Sequence, residues 1–434
     1  MTRPNVLLIT VDSLRADHVS CLGNSPVETP RIDAVGEMGT TFTDTIAQGP
    51  FTTFSMPSLF TARYPTALEY IAFSDGVVGV YADNIPTLTE RLHDAGYATA
   101  GFHSNPLLSN LFNFDWGFET FDADLPFSEL ALPGRLKLLT NKFRRLARQH
   151  AYLPAETITD RGLAWVDDNE EGPFFLWTHY MDVHGPYQSK AGWTYSKKMR
   201  SERLWHKAIR SPESITPTEH DELSRTYAEE VVYTDAHLGR LVTGVRAATD
   251  RPVLVIITAD HGDGFAEHGY YGHPHEVHDE LVHVPLVIDD PTRVVDKGIV
   301  EAPTELIDVA PTVLEATGAA VPEGFEGTSL RVARDRTVEP AIAEGELMPE
   351  YRAAFITARW KYVVDEVESR ELLFDRRACD DRQDVSGKHP EELARFRELT
   401  ARHRNRTIAS CTSSRRANID DEAIRERLRR LGYL

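Results

Sequence analysis

Val6-Leu7-Leu8-Ile9-Thr10-Val11-Asp12-Ser13 is a short apolar run that stops on a carboxylate. Pro252-Val253-Leu254-Val255-Ile256-Ile257-Thr258 stops in the same manner, just before Asp260-His261, and Phe174-Phe175-Leu176-Trp177-Thr178 stops on His179. Continuous apolar runs of this length, without alternation, predict central parallel strands covered on both faces. In open parallel sheets, ligands bind beyond the carboxyl ends of the strands. Asp12, His179 and Asp260 are far apart in sequence, yet this rule brings them toward one place.

Outward from these strands, the pattern alternates. Thr29-Pro30 reads as an N-cap with proline at the first helical position, opening a helix to about Met38. Leu88 to Ala95 has helical spacing and closes at Gly96, and a strand follows over Tyr97 to His103. A long helix is predicted from about Thr218 to Ala247, and Val284 to Ile288 reads as a further strand. Strands alternating with helices define an α/β fold with a mostly parallel central sheet. After about residue 340 the pattern changes. Ala353–Ala358, Tyr362–Val364 and Leu372–Phe374 read as short antiparallel strands, with helices from about Pro390 and about Asp420. The expected division is a catalytic unit over residues 1–340 and a smaller C-terminal α+β subdomain, with a helical tail, over 341–434.

Residues 125–170 read as an insertion. Arg135, Lys137, Lys142, Arg144, Arg145 and Arg148 are interleaved with leucines and Phe143, as in a basic amphipathic helix. Such a helix is either a solvated face or a contact for an anionic substrate or membrane surface.

The 434 residues carry 41% hydrophobic side chains, enough for a large core. Formal net charge is −20, which argues against a nucleic-acid partner, since phosphate backbones require a basic footprint. Cys21, Cys379 and Cys411 are odd in number and widely spaced, so neither a disulfide framework nor a cysteine zinc site is expected. No apolar run reaches membrane length, and the first residues lack the pattern of a signal peptide. The expectation is a soluble cytoplasmic protein without an integral membrane segment. Nothing in the sequence sets an oligomeric state.

Two carboxylates and an imidazole at strand ends suit a divalent cation. The context Thr-Ala-Asp-His-Gly-Asp-Gly-Phe-Ala-Glu-His-Gly (258–269) is long and specific. Together with Pro4–His18, Thr29-Pro30-Arg31-Ile32-Asp33, Val284-Pro285-Leu286, residues 304–312, Trp360-Lys361-Tyr362 and Glu371–Asp375, it resembles the sulfatase family of the alkaline phosphatase superfamily. The resemblance spans nearly the whole chain apart from the insertion and the tail. It implies an α/β/α sandwich with a smaller C-terminal sheet domain. It also implies one divalent metal held at Asp12, Asp260 and His261: Ca2+ first, with Mg2+, Mn2+ or Zn2+ as alternatives. Many sulfatases have a second Asp where this chain has Ser13, whose hydroxyl is a weak candidate ligand.

The nucleophile segment departs from the family. Sulfatases use a Cys or Ser in a (Cys/Ser)-x-Pro-x-Arg motif, converted to formylglycine. Here Gly49-Pro-Phe-Thr-Thr-Phe-Ser-Met-Pro-Ser-Leu-Phe-Thr-Ala-Arg-Tyr-Pro65 contains no Cys. Ser55-Met56-Pro57-Ser58-Leu59 fits Ser-x-Pro-x but has Leu in place of Arg. Counting back from Thr61-Ala62-Arg63-Tyr64-Pro65 reaches Thr52. Related phosphodiesterases and phosphoglycerol transferases use an unmodified Thr there. Thr52, Ser55 and Thr53 all remain candidates. The resemblance points to His184, His273 and His103 as groups that bind the ester oxygens or move a proton, and to Arg63 beside the substrate or bracing the nucleophile helix. His261, His268, His273, His275, His278 and His283 form a histidine-rich stretch that could hold a second metal, with Asp182 and His184 nearby.

The implied activity is metal-dependent hydrolysis of sulfate esters on a small molecule or glycan. One alternative is phosphodiester hydrolysis or phosphoglycerol-type transfer through an unmodified Thr. A further one is a non-catalytic metal-binding homologue.

Overall fold

The computed structural model describes residues 3–68, 70–73, 76–79, 85–123, 152–188, 194–335, 339–347, 350–378 and 383–411. The basic helix read at 135–148 and the helix read from about Asp420 lie outside these residues.

The strands are β1 (Asn5–Val11), β2 (Thr40–Ile46), β3 (Tyr70–Phe73), β4 (Gly76–Gly79), β5 (Ala98–Phe102), β6 (Thr120–Asp122), β7 (Phe174–Tyr180), β8 (Val253–Ala259), β9 (Gly264–Phe265), β10 (Tyr271–Gly272), β11 (His283–Asp289), β12 (Gly298–Val300), β13 (Thr304–Glu305) and β14–β17 (Ala341–Glu346, Arg352–Ile356, Trp360–Asp365, Arg370–Asp375). The main sheet runs β12-β2-β11-β8-β1-β7-β5-β6, with β13 also on β2. β1 pairs in parallel with β7 and β8, and β5 with β6 and β7. All seven residues of β1, β7 and β8 are buried, as their apolar runs require. Burying each large aliphatic side chain there contributes about 1.5–3 kcal/mol.

Helices cover both faces, and β7 shows it residue by residue. A Cβ at Gly162, in the Ala155–Asp167 helix, would meet Leu176 and Thr178 at 3.6 Å. Trp177, pointing the other way, packs on Phe60 of the Thr52–Thr61 helix with ring centroids 5.1 Å apart. The Pro217–Ala248 helix packs on the first side with Pro30–Met38, and Leu88–Asp94 and Val309–Thr317 accompany Thr52–Thr61 on the second. The result is the expected α/β/α sandwich.

Two strands differ from the sequence reading. β11 runs antiparallel to both β8 and β2. Between β8 and β11 the only helix is the single turn Asp279–Val282, so the chain turns back at the carboxyl end instead of crossing over. β2, Thr-Thr-Phe-Thr-Asp-Thr-Ile, was not read as a strand because it is mostly threonine, although its β-branched side chains fit a buried strand.

The order β14-β15-β16-β17 forms a separate antiparallel sheet. The Pro390–Cys411 helix covers it, with Phe396 stacked on Tyr362 at 5.4 Å. Two ion pairs tie this sheet to the main one: Arg376 to Asp44, and fully buried Lys361 to Asp279, each at 2.6 Å.

Candidate active site

Strand register builds the site. Val11 lies level with Ala259, so the next residues, Asp12 and Asp260, emerge side by side. Thr10 lies level with His179 on the other neighbour. Thr10 Oγ1 meets His179 Nδ1 at 2.8 Å, which turns Nε2 toward Asp12 Oδ2 at 3.2 Å. Asp12, His179, Asp260 and His261 are all fully buried.

Thr52 enters from the second face. It is the first residue of the Thr52–Thr61 helix, where backbone N–H groups lack intrahelical partners and the dipole favours negative charge. Its Oγ1 donates to Asp260 Oδ2 at 2.8 Å and lies 3.3 Å from Asp12 Oδ2 and 3.4 Å from His261 Nε2. Ser55 sits one turn on, and its hydroxyl donates to Gly49 O at 2.7 Å, away from the carboxylates. Thr53 is buried and makes none of these contacts. The structure therefore brings Thr52, of the three candidates, to the acid cluster.

Ser13 takes a left-handed backbone conformation with φ of 60°. That turn aims its N–H at Asp260 Oδ1 (3.1 Å) and its hydroxyl at Asp12 Oδ1 (3.0 Å), while Tyr227 donates to its carbonyl at 2.8 Å. Asn105 Nδ2 donates to Asp12 Oδ2 at 2.9 Å.

The carboxylates and imidazoles shape one another. Burial works against ionisation of Asp12, but His184, His179 and His261 outweigh it and hold its carboxyl well below the usual range. Asp260 is pushed up by burial and then by the charge of Asp12. For His261, burial acts to lower basicity, yet Asp260 and Asp12 raise it overall. Neither carboxylate bonds an Arg or Lys side chain among the described residues; their partners are hydroxyls, imidazoles, an amide and backbone N–H groups. Two crowded, fully buried carboxylates with only neutral donors and imidazoles are what a divalent cation would relieve. Asp12, His179 and Asp260 each present a ligand atom within 4.8 Å of the others, so the donor set fits a metal.

His273 and His184 gather beside it. The His273 ring centroid lies 4.4 Å from that of His261 and 5.5 Å from that of His184. Burial, then His261 and His184, hold His273 well below its ordinary basicity, so it is neutral. Its Nδ1 has no hydrogen-bond partner among the described residues. His184 Nδ1 bonds Gly185 O at 2.6 Å.

Two expected residues are placed elsewhere. His103 is buried against Trp177 and Phe121, and its Nδ1 accepts from the Asn105 N–H at 3.2 Å. It positions Asn105; burial and His179 keep it uncharged. Arg63 stands beyond the carboxyl end of the Thr52–Thr61 helix, roughly 15 Å along the axis from Thr52, and lies against Gly324. It stands away from the Asp12–Asp260 cluster.

Three residues were missed or under-read. His179 was noticed at its strand end but not among the ligands; the pairing of Thr10 with His179 is the signal, and it needs strand order. Asn105 stands three residues past β5, and no motif marks it. Asp263, fully buried and hydrogen-bonded by the Tyr187 hydroxyl, is pushed up to about 6 by burial.

Fold and site together define a parallel-sheet hydrolase with a metal-type acid and imidazole cluster facing a helix-borne hydroxyl. The sulfatase family model matches residues 4–319, and the chain belongs to that family. It is 23% identical over 418 residues to the uncharacterized sulfatase YidJ of Escherichia coli, covering 87% of this chain and 82% of that protein. It is 25% identical over 417 residues to the multifunctional alkaline phosphatase superfamily protein PehA of Trinickia caryophylli, covering 80% and 78%. Among solved structures, the phosphonate monoester hydrolase of Silicibacter pomeroyi superposes with a TM-score of 0.72 at 20% identity, covering 93% of this chain and 96% of that one. The chain is thus a hydrolase of the sulfate- or phosphate-ester type. Among the described residues, no helix is long and apolar enough to cross a membrane.

Proposed function

We propose that this protein is a metal-dependent esterase in which Thr52, unmodified, attacks the sulfuryl or phosphoryl centre of a small-molecule or glycan ester. The observation that carries this reading is the 2.8 Å hydrogen bond from Thr52 Oγ1 to Asp260, at a helix N-terminus. Asp12, Asp260, His179 and His261 would hold the metal. When bound, it lowers the pKa of a nearby hydroxyl and neutralises charge on the ester oxygens. Two imidazoles in the donor set favour Zn2+ over Ca2+, which takes six to eight oxygens. The expectation of Ca2+ first moves accordingly.

The chain's own groups set out the steps. Thr52 Oγ1 loses its proton toward Asp260 Oδ2 and forms a bond to sulfur or phosphorus as the ester oxygen leaves. His184 protonates the leaving alkoxide. His273, uncharged, offers its unpartnered Nδ1 to a non-bridging oxygen. Water then attacks the threonyl ester, giving one proton to His184, while Asp260 returns its proton to Thr52 Oγ1, so that the Thr52 hydroxyl is restored and the anion released. Preorganised charge around the transferred group supplies most of the acceleration.

Phosphoesters are favoured over sulfate esters by one feature. Residues 49–65 hold no Cys, and Leu59 replaces the motif's Arg, so the family's formylglycine signature is missing while a free threonine hydroxyl faces the cluster. Turnover of an aryl sulfate, an aryl phosphate and a phosphodiester, with a divalent-metal screen, tests the reading. Metal-dependent activity lost in Thr52→Ala and kept in Ser55→Ala supports it. Loss only in Ser55→Ala moves the nucleophile, and no turnover with any metal favours the non-catalytic homologue.

A further inference from the structure

The histidine-rich stretch does not converge on one centre. His261 and His273 join the site above, whereas His268 and His278 stack on each other with ring centroids 3.7 Å apart and planes 11° from parallel. The backbone holds them there. β9 and β10 form a hairpin whose tip is closed by Ala266 N–H to Tyr270 O (2.7 Å) and Gly269 N–H to Ala266 O (3.1 Å), and His268 sits at that tip. His278 caps the single helical turn Asp279–Val282, which carries Glu280. That turn is fixed in both directions: Gly262 N–H donates to Leu281 O at 2.8 Å, and Asp279 pairs with Lys361 of the C-terminal sheet.

We infer that His268, His278 and Glu280 form a second metal site, for a zinc-type first-row cation, distinct from the Asp12–Asp260 cluster. One ligand atom from each lies within 4.8 Å of the others, and because an imidazole binds a metal in its ring plane, the His268–His278 stack must open by rotation of one ring when the ion enters. His268 Nδ1 is 2.7 Å from Glu280 Oε1, and the Tyr270 hydroxyl stands 2.7 Å from the same oxygen and 2.9 Å from His278 Nδ1. Two imidazoles and one carboxylate are a donor set suited to zinc. An entry path exists: His268 and Glu280 line a cavity of about 530 Å³ whose walls carry five carboxylates against three Arg or Lys side chains, a local excess of negative charge. A cation there would clamp the hairpin tip to the turn that precedes β11. The intervening segment carries His273, so this metal steadies the loop that feeds the first site.

The test is zinc titration of the metal-stripped full chain in an Asp260→Asn background, which weakens the first site. The expected result is one equivalent of Zn2+ still bound, with affinity at least 100-fold lower after His278→Phe. Co2+ in place of Zn2+ should give visible d–d absorption in the background protein and lose it in the variant. Glu280→Gln is the second variant, for use if His278→Phe does not fold, and the same loss is expected. No zinc uptake in the Asp260→Asn protein overturns the proposal, as does equal affinity in the two proteins. Because uptake is measured without turnover, this result stands apart from the identity of the nucleophile.

Discussion

The segment from Asp260 to Glu280 supplies acids and imidazoles to two places, and their surroundings differ. Around Asp12 and Asp260 the donors are fully buried, come from the ends of three strands, and face a hydroxyl on a helix N-terminus. Around His268 and Glu280 the donors come from one short stretch of loop and turn, they line an open cavity, and the nearest hydroxyl is Tyr270. Burial and Glu280 push that phenol's acidity far out of reach, so it stays protonated and does not attack. Ligand chemistry alone does not make a catalytic centre; the first cluster differs by placing a hydroxyl, the nucleophile proposed above, in a fully buried place at a helix N-terminus, where negative charge is favoured.

The contrast breaks most sharply at Thr52. Thr52→Ala should lower kcat/KM by about 10⁴-fold or more, as removal of a nucleophile does, while zinc uptake at His268–Glu280 stays unchanged; steady-state kinetics beside the metal titration checks both. Next is Thr10→Val. Thr10 orients His179, so its loss should weaken metal binding at the first cluster by about 10–100-fold, the cost of removing a supporting hydrogen bond, and leave the second cluster alone. Ser55→Ala removes only a bond to Gly49 O, so turnover should fall by less than about tenfold, with about 1 kcal/mol of stability lost in chemical denaturation.

A control away from both clusters bears on stability alone. Asp235 receives the N–H groups of Arg31 and Ile32, and burial raises its carboxyl to about 6. The folded state therefore holds this proton more tightly than the unfolded state, whose carboxyl titrates near 3.8. Its contribution is fully present at low pH and is lost as pH rises through about 6. Denaturation of the parent and Asp235→Asn between pH 4 and 7 should show the variant gaining on the parent by about 1–2 kcal/mol as pH rises.

What the sequence disclosed follows from how local each signal is. Runs such as Val6–Val11 and Pro252–Thr258 announce buried strands by themselves, and the carboxylates that follow them announce the site. The direction of β11 was hidden, because it depends on the chain turning back over residues 260–282. Thr52 could be counted to but not separated from Ser55, since the choice rests on which face of the helix meets Asp260. His179 and Asn105 act through neighbours more than 90 positions away, so only strand order discloses them. Arg63 shows the same limit: sequence proximity to Thr52 does not put it at the same end of the helix.

The most direct measurement of the central claim is mass spectrometry of the peptide carrying Thr52 and Ser55, before and after rapid acid quench during turnover of an aryl ester. The account predicts an unmodified resting peptide and, on quench, one sulfuryl or phosphoryl group on Thr52, absent from Thr52→Ala. A group on Ser55, or a resting peptide in which either residue is already converted to an aldehyde, would contradict it.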